Sequence, residues 1–298
     1  MTHSAGTSWK ERGHDALRRG DFEEALDAYR MARDAAIEAD DDDAADRIDL
    51  NIATTRLQMG DARGAEEGLR ALLLRASDTR VAFTAAYNLA SSLRRQGRLD
   101  RALSYARRAE ERAAELDDVD AVAPVHTLLG NVLLQQGRLD EARRQYETSL
   151  ALRLAQPGDV RFQRAILEEN LGYCLLLQGE HAEGITRIAT ALEIAGDVGD
   201  RRCAAECLQD LCYAHLMIGD YPEAGAWGAR ALDAAREGNY RDLEENCHYL
   251  LGELGSRTGD VELRDRHFEA LQSLHPEVPL LREFLTAVDV TGIITLKR

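Results

Sequence analysis

A glycine followed by a charged residue recurs at nearly constant spacing along this chain, at Gly20-Asp21, Gly60-Asp61, Gly97-Arg98, Gly137-Arg138, Gly179-Glu180, Gly219-Asp220 and Gly259-Asp260. Subtraction gives spacings of 40, 37, 40, 42, 40 and 40 residues. No other feature constrains the fold as strongly, because self-similarity at such a period means a stacked array in which each unit buries its apolar face only against its neighbours. Each glycine closes one amphipathic stretch and opens another, as expected where a helix ends on a residue that takes positive φ at little cost. The stretch from Tyr87 to Gln96 before one turn, and that from Leu139 to Leu150 after another, place apolar side chains at i, i+3 and i+4. The unit is therefore a helical hairpin. Its second helix ends in a polar loop, at Asp40 to Asp43, Ser77-Asp78, Asp117-Asp118, Pro157-Gly158-Asp159, Gly196-Asp197, Gly238-Asn239 and His275-Pro276. Seven hairpins are expected, over about residues 6–39, 46–79, 83–116, 123–156, 165–198, 205–238 and 245–278, as one run through 1–278 without a linker.

Composition agrees with helix and excludes several functions. Of the 298 residues 45% are hydrophobic but only 5% aromatic, so the apolar content is mainly Ala, Leu, Ile and Val. The 53 acidic against 37 basic side chains leave a formal charge of −16. Such a surface is unsuited to DNA, RNA or an anionic membrane, which need Lys and Arg to replace counterions. No apolar run approaches the ~18 residues that span a bilayer, and Met1 to Lys10 has no apolar leader, so a cytoplasmic protein is expected. The five cysteines, Cys174, Cys203, Cys207, Cys212 and Cys247, are odd in number and read as reduced packing residues.

The first hairpin carries Trp9, Gly13, Gly20, Phe22, Ala25, Tyr29 and Ala32. At that spacing it resembles the tetratricopeptide repeat (TPR) family, with Arg12 and Ala16 as departures. Later copies keep Leu89-Ala90, Leu129-Gly130, Leu171-Gly172, Leu211-Cys212 and Leu251-Gly252 before the turn and Ala65, Ala102, Ala142 and Ala224 after it. Gly184 and Arg264 depart from this pattern. Small residues at these two places let paired helices approach closely. The resemblance implies an all-α, right-handed superhelical solenoid. Units longer than the usual ~34 residues are similar to those of kinesin light chains, Rap-type peptide receptors and MalT-like regulators, a subclass that binds peptides or proteins.

The resemblance also implies that first helices line a concave groove through positions 2, 5, 6, 9 and 13, counted from residues 6, 46, 83, 123, 165, 205 and 245. The candidate peptide-binding residues are then Lys10, His14, Arg18, Arg47, Asn51, Tyr87, Asn88, Arg95, Asn131, Asn170, Tyr173, Tyr213, Met217 and Tyr249. Asn51, Asn88 and Asn170 share position six, where an amide can donate to and accept from an extended backbone; the alternative is that these residues link adjacent helices. The groove is expected to be graded, basic through Lys10, Arg18, Arg47, Arg94 and Arg95, then aromatic and acidic through Tyr173, Tyr213, Tyr249, Glu169, Glu206, Asp210 and Glu253. A ligand with an acidic end and an apolar, basic remainder would complement it; the alternative is a solvated face. The dicarboxylate clamp of chaperone-binding TPR domains finds only Lys10 and Asn51 of its five residues here, with His14, Thr84 and Asn88 at the other places.

Cys203, Cys207, Cys212, His215, Cys247 and His248 fall close in sequence, but without CxxC or HxxxH spacing they read as packing residues and not as a zinc site. Asp40 to Asp43 lacks the glycine and closing glutamate of a calcium loop. No nucleotide-binding, zinc-protease or serine-hydrolase motif is present, so no catalytic residue, metal or cofactor is assigned. Residues 279–298 read as a capping helix, with Leu281, Phe284, Leu285 and Val288 on one face, followed by a short extended tail. Val290 to Arg298 either packs on that cap or pairs with a second copy or a partner's sheet. The expected function is a non-catalytic scaffold or adaptor that binds a peptide or partner segment. The alternatives are a peptide-responsive sensor controlling a signalling or transcription partner, and self-assembly through the tail.

Overall fold

A computed structural model describes residues 2–116 and 118–288, with side chains described from Ser8 onward. Among them are fifteen α-helices and no strand. The chain divides into two compact bodies, one up to Gln136 and the other from Gly137 onward. That boundary lies in the fourth turn, inside an expected hairpin, where no shift of composition marks it.

The N-terminal body holds α1 (Thr2–Arg19), α2 (Phe22–Glu38), α3 (Asp42–Gln58), α4 (Ala62–Arg75), α5 (Thr79–Arg95), α6 (Leu99–Leu116) and α7 (Val119–Gln135). Here α1 pairs with α2, α3 with α4 and α5 with α6, and each pair packs on the next. The C-terminal body holds α8 (Leu139–Leu154), α9 (Arg161–Leu177), α10 (His181–Val198), α11 (Arg201–Ile218), α12 (Tyr221–Glu237), α13 (Arg241–Thr258), α14 (Val261–Leu274) and α15 (Leu281–Ala287). In that body α8 packs on α9, the pairs α9–α10, α11–α12 and α13–α14 stack in order, and α15 lies on α14.

The turn glycines do what their spacing predicts: all seven sit in the left-handed region, from φ +70° at Gly97 to +82° at Gly60 and Gly179. At three of these turns the following aspartate caps the next helix: Asp21 accepts from the Glu24 amide at 3.1 Å, Asp61 from the Gly64 amide at 2.9 Å and Asp260 from the Leu263 amide at 2.9 Å. Asp220, Arg138 and Glu180 hold the same place without a side-chain cap.

The small-residue positions are fully packed, with Ala25, Ala65, Ala102, Ala142 and Ala224 all at 0% exposure. A Cβ on Gly13 would stand 2.5 Å from Tyr29 Cε1, so the buried tyrosine ring occupies the space that the glycine leaves. Gly184, a departure in the sequence pattern, lies at a close approach of α9 and α10: a Cβ there would lie 2.9 Å from the Gly172 carbonyl oxygen. Between hairpins, the core of the N-terminal body joins Leu69 and Leu72 of α4, Leu89 and Leu93 of α5 and Ala106 and Ala109 of α6. Each such leucine contributes about 1.5–3 kcal/mol by leaving water.

Two details differ from the sequence pattern. First helices start one turn earlier than the hairpin register predicts, at 42, 79, 119, 161, 201 and 241 against 46, 83, 123, 165, 205 and 245. Aspartates read as loop residues are caps of these helices: Asp41 accepts from the Ala44 amide at 2.9 Å and Asp118 from the Asp120 amide at 2.9 Å. The long unit is thus a longer first helix. The C-terminal helix is also a thinner cap than its pattern implies, since Leu285 is buried while Phe284 and Val288 are 52% and 41% exposed. Polar contacts from α14 hold it, including Glu269 to Arg282 at 2.7 Å. The tail from Val290 to Arg298, read as packing on the cap or as pairing with a second copy or a partner's sheet, lies outside the described residues.

Candidate functional site

In both bodies the first helices of successive hairpins touch, α3 with α5 and α5 with α7 in one, α9 with α11 and α11 with α13 in the other. The side chains at positions five, six and nine therefore share one face in each body, and the two faces differ.

In the N-terminal body this face is accessible. Lys10, His14, Asn51, Tyr87, Asn88 and Asn131 are half-buried, and Arg18, Arg47 and Arg95 are exposed. Arg18 pairs with Asp15 one turn earlier. Arg47 stands 3.7 Å from Asp78. The His14 ring meets Tyr29 edge-on at 5.7 Å between centroids. Burial, with Lys10 and Arg18 nearby, holds the His14 pKa below its ordinary value, so it is a neutral imidazole at pH 7. Tyr87 leans on Phe83 at 6.1 Å. Asn88 donates through Nδ2 to Thr54 Oγ1 at 3.3 Å, so one of the three position-six asparagines does link neighbouring first helices. The bond is long, and a ligand backbone could replace it at little cost.

The C-terminal body closes the same face. Asn170, Tyr173, Tyr213 and Tyr249 are 7%, 0%, 6% and 5% exposed, and Glu169, Gln209, Asp210 and Glu253 are 2%, 2%, 0% and 4% exposed. The expected aromatic and acidic groove is in this structure an interhelical core; of its candidate residues only Met217, at 36%, is exposed. The cause is side-chain size. Where α3 and α5 carry Thr54 and Ser91 at position nine, α9 and α11 carry Tyr173 and Tyr213, whose rings meet at 6.1 Å and fill the space between the helices. Polar partners are supplied within the closed face. Asn246 donates to Gln209 Oε1 at 3.0 Å, and Arg257 Nε binds Glu253 at 2.8 Å. Burial, reinforced by Asp210, pushes the Tyr213 phenol up, with Arg257 opposing.

The cysteines and histidines also settle into packing. All five thiols are free and buried. Burial pushes Cys174 up to about 11 and Cys212 up to about 12, so neither is an available thiolate near neutrality. His248 forms a contact that the sequence did not suggest, its Nδ1 lying 2.9 Å from Nδ1 of His267, with both rings buried in the α13–α14 pair. Among the described residues no group of three or more His, Cys, Asp or Glu side chains is arranged to hold a metal ion.

A recurrent latch was also missed. The glutamine before the turn glycine reaches the second helix of the preceding hairpin in three places: Gln96 to Glu66 at 2.9 Å, Gln136 to Asp100 at 2.9 Å and Gln178 to Asp140 at 2.7 Å. The recurring Gln-Gly dipeptide was its only sequence signal.

Comparison with known proteins identifies the architecture. A sequence model described as tetratricopeptide repeat matches residues 81–155 and 163–237, just over half of the chain. A second model of that description matches residues 11–31. No curated protein matches by sequence. Among solved structures, the apo form of RapI superimposes with a TM-score of 0.76 at 14% identity, over 91% of this chain and 98% of its own. A signal transduction ATPase with numerous domains from Pyrococcus horikoshii, which has a tetratricopeptide repeat sensor, gives 0.73 at 15% identity, over 96% of this chain and 44% of that one. A Rap protein complexed with competence and sporulation factor gives 0.62 at 15% identity, over 92% of this chain and 75% of its own. At such identities the likeness is one of fold.

Proposed function

Because the chain belongs to the tetratricopeptide repeat family, we propose that it is a protein-interaction scaffold that holds an extended partner segment on the first-helix face of its N-terminal body. The observation that carries this reading is the accessibility of that face beside the closure of its counterpart. Asn51 and Asn88 stand half-buried at equivalent places one hairpin apart. Their amides offer a donor and an acceptor each to a peptide backbone. Lys10 and Arg18 on α1, Arg47 on α3 and Arg95 on α5 suit an acidic or carboxylate end. The role as proposed needs no chemistry, cofactor or metal. Among the described residues no helix is long and apolar enough to cross a membrane.

The test is quantitative affinity capture from the native host's lysate with the wild type and with an Asn51→Ala, Asn88→Ala variant whose circular dichroism is unchanged. Proteins held by the wild type and lost by the variant support the reading. Identical sets on both exclude the asparagine clamp.

A second reading, a peptide-responsive sensor, has its own observation. Burying Glu169, Gln209, Asp210 and Glu253 costs free energy unless every group is paired, and a face that opens on ligand binding would give that arrangement a use. Support comes from neighbours that include a Rap protein in complex with competence and sporulation factor and an ATPase with a tetratricopeptide repeat sensor. Ligand-induced loss of amide protection in α9, α11 and α13, seen by hydrogen exchange, would favour the sensor; unchanged protection would leave the static scaffold.

A further inference from the structure

On the other side of α3 from Asn51 and Thr54, a pocket of about 170 Å³ opens between α2, α3 and α4. Four guanidinium groups line it, Arg30 and Arg33 from α2, Arg56 from α3 and Arg75 from α4, and its one carboxylate is Asp49. Its floor is Ile52, Ala53, Gly68 and Ala71, so small side chains keep it open. At Gly68, one of the lining residues, an added Cβ would make only ordinary contact with Ala53 at 3.6 Å.

The lining itself carries four guanidinium groups against one carboxylate, and four further aspartates, Asp27, Asp34, Asp46 and Asp61, stand against these arginines from outside it. These carboxylates engage the four arginines unevenly. Arg75 is committed, with Nε 2.7 Å from Asp46 and a second nitrogen on Asp49. Arg33 stands 3.1 Å from Asp34 and 3.6 Å from Asp49. Arg30 holds Asp27 through one nitrogen at 2.8 Å. Arg56 gives its hydrogen bond to a neutral acceptor, the Gly64 carbonyl at 3.1 Å, and its nearest carboxylate, Asp61, is 3.9 Å away. Guanidinium nitrogens beyond those used by these bonds remain on three helices around one opening.

We propose that this pocket binds a phosphate group. Planar guanidinium forks match a tetrahedral oxyanion, and three or four of them around a small concavity give both charge and geometry. Asp49 and its arginine partners mark one end, so the anion sits toward Arg30 and Arg56. An adjoining pocket of about 360 Å³ shares Arg33, Asp49 and Arg75 and continues past Ile37, Ala45, Asp42 and Asp46. It would take an apolar or basic neighbour of the phosphate, as a phosphorylated peptide side chain would have. The site lies on positions four, seven, eight and eleven of the second hairpin and is separate from the asparagine-bearing face, so its occupancy stands or falls independently of the function proposed above.

The test is fluorescence anisotropy at low salt with a labelled phosphoserine peptide flanked by Leu and Lys, its unphosphorylated twin, and inorganic phosphate as competitor. Binding of the phosphopeptide is expected to exceed that of its twin by about tenfold or more, to fall by a similar factor in Arg56→Ala and in Arg30→Ala, and to weaken with salt. Arg63→Ala removes an arginine that is 91% exposed and outside the pocket, and should bind as the wild type does. Arg56→Lys, which keeps the charge without the fork, should retain part of the affinity even if the alanine variants melt early. If inorganic phosphate competes and the peptide adds nothing, the site holds and its source is a free phosphate. Equal binding of the two peptides with no competition by phosphate, or equal losses in Arg56→Ala and Arg63→Ala, would overturn the proposal.

Discussion

The two bodies place the same repeat positions on the same face of equivalent helices, and they use them in opposite ways. At position nine the N-terminal body has Thr54 and Ser91, and the face remains accessible; the C-terminal body has Tyr173 and Tyr213, and the face becomes core. The backbone plan is shared, down to the left-handed turn glycines and the alanines at 0% exposure behind them. A repeat register therefore fixes direction, while side-chain volume decides whether a face is a binding surface or a packing surface.

The largest expected difference is at position nine. Tyr173→Ala should cost about 3–5 kcal/mol, because it removes a fully buried ring from the α9–α11 contact. Thr54→Ala, which loses two modest hydrogen bonds at a half-buried site, should cost no more than about 1–2 kcal/mol. Urea denaturation of both variants measures the difference, and equal costs would break the comparison.

Glycine substitutions sharpen it with opposite signs. Gly172→Ala in α9 would bring a Cβ to 2.5 Å from Ile188 and 2.9 Å from the Gly184 carbonyl, and should destabilise by about 1–3 kcal/mol. Gly68→Ala in α4 meets only Ala53 at 3.6 Å, and should stabilise by up to about 1 kcal/mol through helix propensity. Thermal unfolding reads both shifts.

Acid should weaken the C-terminal body selectively. Burial, then the charges of His248, Arg266 and Arg236, holds the His267 pKa down to about 4. His248 is lowered by burial and Arg236, against Glu244. Between about 4 and 6.5 the unfolded chain binds more protons at His267 than the folded one, so this stability is full above 6.5 and drains as pH falls. A loss of the order of 1–2 kcal/mol is expected between pH 7 and pH 5, measured by hydrogen exchange in α13 and α14. His267→Gln should flatten that dependence.

The smallest effect is an expected absence of reaction. All five cysteines lie in the C-terminal body and are buried, so alkylation of the native protein should proceed no faster than local opening. Rapid labelling of Cys207, which sits beneath the closed face, would show that the face opens readily.

Much of the architecture was legible in the sequence. The turn glycines, the alanines behind them and the leucines at i, i+3 and i+4 each specify a local geometry that tertiary packing did not override. The earlier helix starts were also written there, in Asp41, Asp78 and Asp118, but a repeat period borrowed from shorter units turned those caps into loops. The candidate site was half legible. Counting positions put Tyr173, Tyr213 and Tyr249 on the correct face, yet a register says nothing about the distance between neighbouring helices, and that distance buried them. The contact of His248 with His267 and the four-arginine pocket join residues from different helices, and no local spacing encodes them.

The most direct measurement is photo-crosslinking from benzoylphenylalanine placed singly at positions 54, 91, 173 and 213, with partner capture from the native host's lysate. The account predicts a shared crosslinked partner from positions 54 and 91 and none from 173 and 213. Crosslinks from 173 and 213, with positions 54 and 91 silent, would contradict it and put the binding surface in the C-terminal body.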